Sequence, residues 1–411
     1  MRTLSILRRN RRKLLVKLAG ILRPQNFLVV VRNVLDRRRQ EPWISDSLDD
    51  DGFDRTAERS LAWLAHAQDR VRSGGVGSYD FSGWSTGYPE VTGYIIPTMW
   101  DYASRAERDD LRDRVLRMVE WELKLQRPEG GWEGGNEGDG LPPVVFNTGQ
   151  VMRGLLRTYE ETGDRRCLDA ARRAADWIVE VQDDDGSWTT SNHLGLKRVY
   201  DTYVAAPLAR LSLISGDGAY AEAARRNCEF ALQHQRGNGW FELCDNSPDF
   251  VDAPVTHTLC YTADGLIETG SLLAEGAYVA AGVRTAEALA AHAEPAGYLP
   301  GRFDENWRPV VRWVCLTGSA QLGVILMRLH ERTGESRHLA TAERLLGFLH
   351  HVERLNAIGR DRSGAIAGSY PIWAPYAPFR FPCWATKYYL DLLLLVRQAK
   401  EREPALSLAS G

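Results

Sequence analysis

The chain has 411 residues, room for two or three average domains or one large repetitive one, and its 44% hydrophobic content is ample for a core. The net charge of −3 hides an asymmetry: residues 1–39 hold twelve Lys and Arg against the single acid Asp36, so the remainder carries about −14. That acidic body argues against a nucleic-acid partner, and six scattered cysteines without a C-x-x-C pair argue against a disulfide scaffold and for reduced thiols in a cytoplasmic setting.

Residues 1–45 read as a basic amphipathic N-terminal arm, and residues 46–411 as the catalytic body. In the arm, Leu14, Leu18, Ile21 and Leu22 share an apolar stripe, with Lys13 and Lys17 on other faces. Such a segment suits an anionic membrane surface, reached through residues 1–39. It does not suit a spanning helix, because Lys17 and Arg23 interrupt every window of sufficient length. The pairs Arg8-Arg9 and Arg11-Arg12 stand where a secretory signal would carry charge, but no small-residue cleavage site follows. A solvated tail or a partner-binding arm is the other reading.

The first body helix is "RTAERSLAWLAHAQDR" at 55–70. From about residue 90 the chain repeats. Shifted by 53 positions, "GDRRCLDAARRAADWIVEVQDDDGSW" lies on "GDGAYAEAARRNCEFALQHQRGNGWF". Gly163-Asp164 falls on Gly216-Asp217, and Gln182, Gly186 and Trp188 fall on Gln235, Gly239 and Phe241. Gln126, Gly130 and Trp132 form a third copy of this Q-x3-G-x-W/F spacing. Each copy is a helical hairpin, with a glycine ending the first helix and an acid or small polar residue starting the second.

Inner, more apolar helices are predicted near 93–105, 145–161, 199–214, 257–274, 315–332 and 383–398. Outer, one-striped helices are predicted near 109–126, 166–182, 218–235, 277–292 and 337–354. The missing sixth outer helix is 55–70. The predicted fold is therefore all-α: an (α/α)6 toroid of six hairpins, closed by pairing the N-terminal helix with the C-terminal inner helix. An open solenoid is the alternative, but it needs polar end caps, and "WATKYYLDLLLLV" is too apolar to be one.

In such a ring the long connections all emerge where the inner helices begin. They are rich in Trp and Tyr with polar groups between, a lining that suits a sugar. His257 opens an inner helix with Tyr261 one turn below it, a base and an acid for proton abstraction. Glu90 stands between Tyr88 and Tyr94, and Asp201 heads the third inner helix; together they offer the two carboxyl groups of a glycosidase. Arg302, Arg312, Arg380 and Lys387 are candidates to clamp a carboxylate, Asn147 is a neutral donor, and Trp132, Tyr203 and Trp373 are stacking surfaces. Helix capping by His257 and Asp201, and ion pairing of the arginines, are the competing readings. No metal-ligand cluster, Gly-rich phosphate loop or nucleophile elbow is present, so no cofactor is expected.

Over residues 55–400 this hairpin repeat resembles the (α/α)6 toroids, which include unsaturated glucuronyl hydrolases, N-acylglucosamine 2-epimerases, polysaccharide lyases and uronyl C5-epimerases. The resemblance implies an enzyme acting on an acidic, uronate-containing oligo- or polysaccharide. Its chemistry would be proton abstraction next to a carboxylate (epimerase or lyase) or two-carboxylate hydrolysis, during glycan assembly or turnover. The Q-x3-G-x-W spacing also resembles squalene and terpene cyclases, where it is structural. The Asp-x-Asp-Asp acid of protonating cyclases is absent, and "DDGFD" (Asp50–Asp54) and "DDLRD" (Asp109–Asp113) fit helix starts. A cyclase-like enzyme and a non-catalytic glycan-binding scaffold remain the alternatives.

Overall fold

The computed structural model describes residues 19–38, 48 and 50–409. Gly163, Gly216 and Gly334, at φ of 72°, 74° and 73°, end three inner helices in the left-handed conformation. One residue later the Asp164 and Asp217 side chains accept hydrogen bonds from Arg166 N and Ala219 N and start the next helix. Turns of two or three residues thus fold each of the first five inner helices back on an outer one.

The helices are α1 (Pro24–Arg38), α2 (Asp50–Val71), α3 (Pro89–Arg105), α4 (Asp109–Leu125), α5 (Val145–Thr162), α6 (Arg165–Glu180) and α7 (Thr202–Ser215), followed by α8 (Gly218–Gln233), α9 (Thr256–Leu273), α10 (Gly276–Ala296), α11 (Leu316–Thr333), α12 (Ser336–Asn356) and α13 (Cys383–Ala409). The inner ring is α3, α5, α7, α9, α11 and α13. Each packs on the next, and α13 returns to α3. The outer partner of α13 is α2, so the N-terminal helix closes the ring and the open solenoid is ruled out. The outer helix α6 buries one stripe, including Leu168, Ala171, Ala175 and Ile178, whereas α9 and α11 are buried on nearly every side.

The Q-x3-G-x-W copies stitch neighbouring hairpins. Gln126 Nε2 donates to Gly130 O in its own turn and to Ala170 O on the next outer helix, at 2.9 and 2.8 Å. Gln182 does the same to Gly186 O and Ala223 O, both at 3.0 Å, and Gln235 reaches Ala281 O at 2.9 Å. Trp132 and Trp188 each return an indole N–H to the preceding outer helix, at Glu122 O and Ile178 O. The glycine is obligatory: at Gly130 and Gly186, φ is 108° and 86°, and a Cβ would sit 2.2 Å from Arg173 O or Arg226 O. Two further stitches lack the spacing. Gln68 reaches Gly74 O and Arg114 O, and at the ring closure Glu353 bridges Gly364 N and Arg59.

Short strands tie the long connections together. β1 (Tyr79–Asp80) pairs antiparallel with both β2 (Gly83–Trp84) and β5 (Arg380–Phe381), joining the first connection to the last, and β3 (Val314–Cys315) pairs with β4 (Ser369–Tyr370).

Residues 24–38, expected within a free basic arm, form a helix docked on the ring. Asn33 Nδ2 donates to Asn356 Oδ1 at 2.8 Å, and Ile372 N donates to Asn33 Oδ1. Asn26 Oδ1 accepts from Arg362, and Asp36 meets His351 and Tyr370. A hydropathy reading misses this anchor because asparagines, rather than apolar residues, make the buried face with Val29. The Leu14–Leu18 part of the expected stripe, with Lys13 and Lys17, lies outside the described residues. All six cysteines are buried free thiols. No helix among the described residues is long and apolar enough to cross a membrane.

Candidate active site

Side chains at the second position of the inner helices point toward the ring axis at one end. Glu90 on α3, Phe146 on α5, His257 on α9 and Trp384 on α13 all hold this register. Tyr200 holds it in the 3-10 turn Val199–Asp201 that leads into α7. These five residues line a cavity of about 230 Å³, and the long connections add Tyr88, His193, Asn246 and Tyr376 around it. Four residues further along, one helical turn deeper, stand Tyr94, Gln150, Tyr261 and Tyr388, and Gln321 of α11 joins them through His257. The rings of Tyr203 and Tyr261 lie 4.7 Å apart, and Tyr388 Oη donates to Tyr203 Oη at 3.0 Å, so tyrosines form the floor.

Glu90 is partly exposed into the cavity, and Tyr88 Oη donates to its Oε2 at 2.5 Å. The surrounding protein withdraws enough water to push the carboxyl up to about 7, with the Tyr88 bond acting the other way. His257 Nδ1 lies 2.7 Å from Gln321 Oε1. An amide oxygen only accepts, so the imidazole proton sits on Nδ1 and Nε2 carries the free lone pair. Burial pulls this histidine down to about 4, against the Gln321 bond. At pH 6 the cavity therefore holds a neutral acid and a neutral base. Tyr261 lies against His257 at 4.3 Å between ring centres, and burial holds its hydroxyl well above the usual tyrosine range.

Of the sequence candidates, Glu90, His257, Tyr261, Tyr88 and Asn147 line this one cavity. Asn147 Nδ2 donates to Glu133 O at 3.0 Å. The others stand elsewhere, each for a physical reason. Asp201 is fully buried behind the wall, where its Oδ2 accepts from Asn192 at 2.6 Å; burial, opposed by Asn192 and by the charge of Arg198, pushes it up to about 8. Tyr94 and Tyr203 belong to the buried floor layer. Trp132 is 0% exposed and belongs to the stitch. Trp373 packs against the core.

The four expected cations do not converge. Arg302 is locked to Asp245 Oδ2 at 2.7 Å and to Ala253 O. Lys387 pairs with Asp391 at 2.6 Å and lines a second cavity, of about 270 Å³, beyond the tyrosine floor. Arg312 is exposed and Arg380 lies on β5; neither lines the first cavity. No Lys or Arg among the described residues lines it. Sequence reasoning missed Phe146, Tyr200, Tyr376 and Trp384. The shared second-position register would have found three of them; Tyr376 comes from an irregular connection with no such marker. No group of His, Cys, Asp or Glu among the described residues has a metal-holding arrangement.

Residues 85–263 match the family model of the squalene-hopene cyclase C-terminal domain. A squalene–hopene cyclase of Zymomonas mobilis is 25% identical over 174 residues, which is 39% of this chain and 26% of that protein, so the chain spans about a quarter of that relative's length. Among solved structures, an unsaturated glucuronyl hydrolase specific for heparin superposes with a TM-score of 0.67 at 14% identity, covering 86% of this chain and 99% of that one. A sugar epimerase from a ruminal bacterium gives 0.66 at 12% identity, with 84% and 98% covered. The cellobiose 2-epimerase of Bacillus thermoamylovorans gives 0.63 at 11%, again with 84% and 98% covered. At these identities the likeness is one of fold. Ring closure and superposition agree: the chain has the fold of the (α/α)6 toroids.

Proposed function

We propose that the protein is a carbohydrate-active enzyme that moves a proton at a sugar carbon next to a carbonyl, an epimerase or isomerase type of reaction. The observation that carries this reading is the pairing, in one aromatic cavity, of Glu90 held neutral to about 7 with His257 held neutral down to about 4. His257 Nε2 takes the proton from the carbon, and Glu90 donates to the carbonyl oxygen as the enediol forms. Rotation of the enediol so that its other face meets the imidazolium lets His257 return that proton there, while Glu90 takes back the hydroxyl proton as the carbonyl re-forms; the carbon is inverted and both groups are restored. Aromatic walls give the sugar ring a stacking surface.

Two-carboxylate hydrolysis finds less support, because among the described residues Glu90 is the one carboxyl lining the cavity and its expected partner Asp201 is sealed behind the wall. Among the described residues no cation lines the cavity, which favours a neutral sugar unit at the reacting carbon over a uronate. A second reading, protonation of an alkene as in a cyclase, draws on the neutral Glu90 and the match over residues 85–263. The cavity's modest size and the polar His257, Asn147 and Asn246 weigh against a long polyprene.

The test is solvent-deuterium exchange. Incubated with neutral reducing disaccharides in deuterated buffer, the wild type is expected to label the carbon next to the carbonyl, seen by NMR, and Glu90→Gln and His257→Gln are not. New reducing ends without exchange would replace the proposal with hydrolysis.

A further inference from the structure

Six inner helices give the wall of the first cavity six places, and side chains in the shared second-position register fill five of them. Around the ring these are Glu90, Phe146, Tyr200, His257 and Trp384. On α11 the same register falls on Thr317, which is buried and does not line the cavity. Tyr376, from the last connection, covers that threonine and takes the sixth place. Its ring lies 5.7 Å from that of His257, centre to centre, and Trp384 Nε1 donates to its Oη at 3.0 Å. The main chain is held as well, since Ser369 Oγ donates to Tyr376 O. Tyr376 therefore stands between the base and the last inner helix, tied at both ends.

A phenol hydroxyl has one hydrogen to give and lone pairs with which to accept. An indole N–H can only donate, so Trp384 occupies the accepting side of Tyr376 Oη and turns the hydroxyl hydrogen away from itself. Burial holds this hydroxyl well above the usual tyrosine range, so it stays protonated. Beside His257, Tyr376 is a donor and a poor proton acceptor. A sugar carbon that gives its proton to His257 Nε2 carries a hydroxyl of its own, and Tyr376 is the next group along the wall.

That placement bears on the product. An enediol has two hydroxyls, and the one that loses its proton decides which carbonyl re-forms. Loss from the former carbonyl oxygen to Glu90, with a proton returned to the reacting carbon by His257, gives an aldose. Loss from the other hydroxyl, with a proton delivered to the former carbonyl carbon, gives a ketose. A group that donates to that second hydroxyl does not take its proton.

We propose that Tyr376 is a further catalytic residue, which donates a hydrogen bond to the hydroxyl on the reacting carbon and keeps that hydroxyl protonated. The enediol then returns to an aldose, and the reaction is an epimerisation rather than an aldose–ketose isomerisation. This rests on the proton-transfer reading of Glu90 and His257.

One incubation reads both. With neutral reducing disaccharides in deuterated buffer, NMR follows the deuterium on the reacting carbon, the epimeric aldose and the ketose. The wild type is expected to make the epimer, with ketose at about a tenth of it or less. Tyr376→Phe is expected to slow exchange about tenfold with KM within about threefold, and to raise the ketose share about fivefold or more. Trp384→Phe keeps an aromatic wall and releases the accepting side of Tyr376. It is expected to raise the ketose share too, with a smaller loss of exchange. Unchanged thermal midpoints show that the variants fold. A wild type that makes mainly ketose, or a ketose share that moves in neither variant, would overturn the role of Tyr376 and leave the Glu90–His257 chemistry standing. A wild type without exchange would overturn both.

Discussion

Gln321 on α11 holds His257 on α9 through a 2.7 Å hydrogen bond to Nδ1, across the seam between two inner helices. The bond fixes which nitrogen carries the proton, and so which one is free to act as a base. Gln321→Glu places a carboxylate where the amide oxygen was and favours the imidazolium. The acid limb of kcat/KM against pH is expected to move upward from about 4 in this variant. A purely structural role for Gln321 would lower activity evenly across pH and leave the limb in place.

The whole profile follows from the two cavity groups. His257 is a base above about 4, and Glu90 is an acid below about 7, so kcat/KM is expected to be bell-shaped between those values. Tyr88→Phe removes the hydrogen bond that favours the Glu90 carboxylate. Its basic limb is expected to move above about 7, with the acid limb unchanged. A basic limb that moves downward would assign it to another group.

Asp201 gives a stability signature instead of a kinetic one. Its folded value, about 8, lies above the ordinary 3.8, so the fold favours the protonated form. The benefit is full below 3.8 and is lost as pH rises through 8. Asp201→Asn keeps an acceptor for Asn192 and cannot ionise. It is expected to be more stable than wild type at pH 8 and above, with a ceiling on the order of 5 kcal/mol at about 1.4 kcal/mol per pH unit. Thermal melts at pH 5 and pH 8 measure it; a wild-type midpoint that does not fall relative to the variant would place an ion pair at this site.

The stitch separates structure from chemistry. Gln182→Ala removes the hydrogen bond to Gly186 O in its own turn and those with Ala223 O and Arg226 on the next outer helix; it is expected to cost about 2 kcal/mol, while kcat/KM per folded molecule stays within twofold. Gly186→Ala is expected to be worse, because its Cβ falls on the Arg226 carbonyl. Denaturant titration alongside activity decides the matter; lost activity at unchanged stability would return the motif to catalysis.

A neutral substrate predicts silence from the outlying cations. Arg312→Ala and Arg380→Ala are expected to leave KM unchanged, since neither lines the cavity. A tenfold rise in KM for either would restore a carboxylate clamp.

The ring itself was legible because helical periodicity and the glycine-aspartate corners are local signals, and every hairpin repeats them. Ring closure by residues 55–70 followed from an unpaired count of inner and outer helices. The site was half legible. Glu90 and His257 stood at helix starts in unusual company, whereas Asp201 had the same local appearance and turned behind the wall to meet Asn192. The arginines could not be placed from sequence at all: a long side chain goes to whichever carboxylate the tertiary fold brings near, as Arg302 goes to Asp245 across 57 residues. The anchoring of α1 by Asn26 and Asn33 was hidden for a similar reason, because amide ladders carry no hydropathic mark.

The Tyr203–Tyr388 hydrogen bond also makes the ring a blind alley. Two cavities lie on one axis, yet Tyr203 lines one and Tyr261 the other, with a single layer of rings between them. Nothing can be threaded through such a ring. Under the proposed sugar chemistry, substrate and product would use the same mouth, and the second cavity would serve neither.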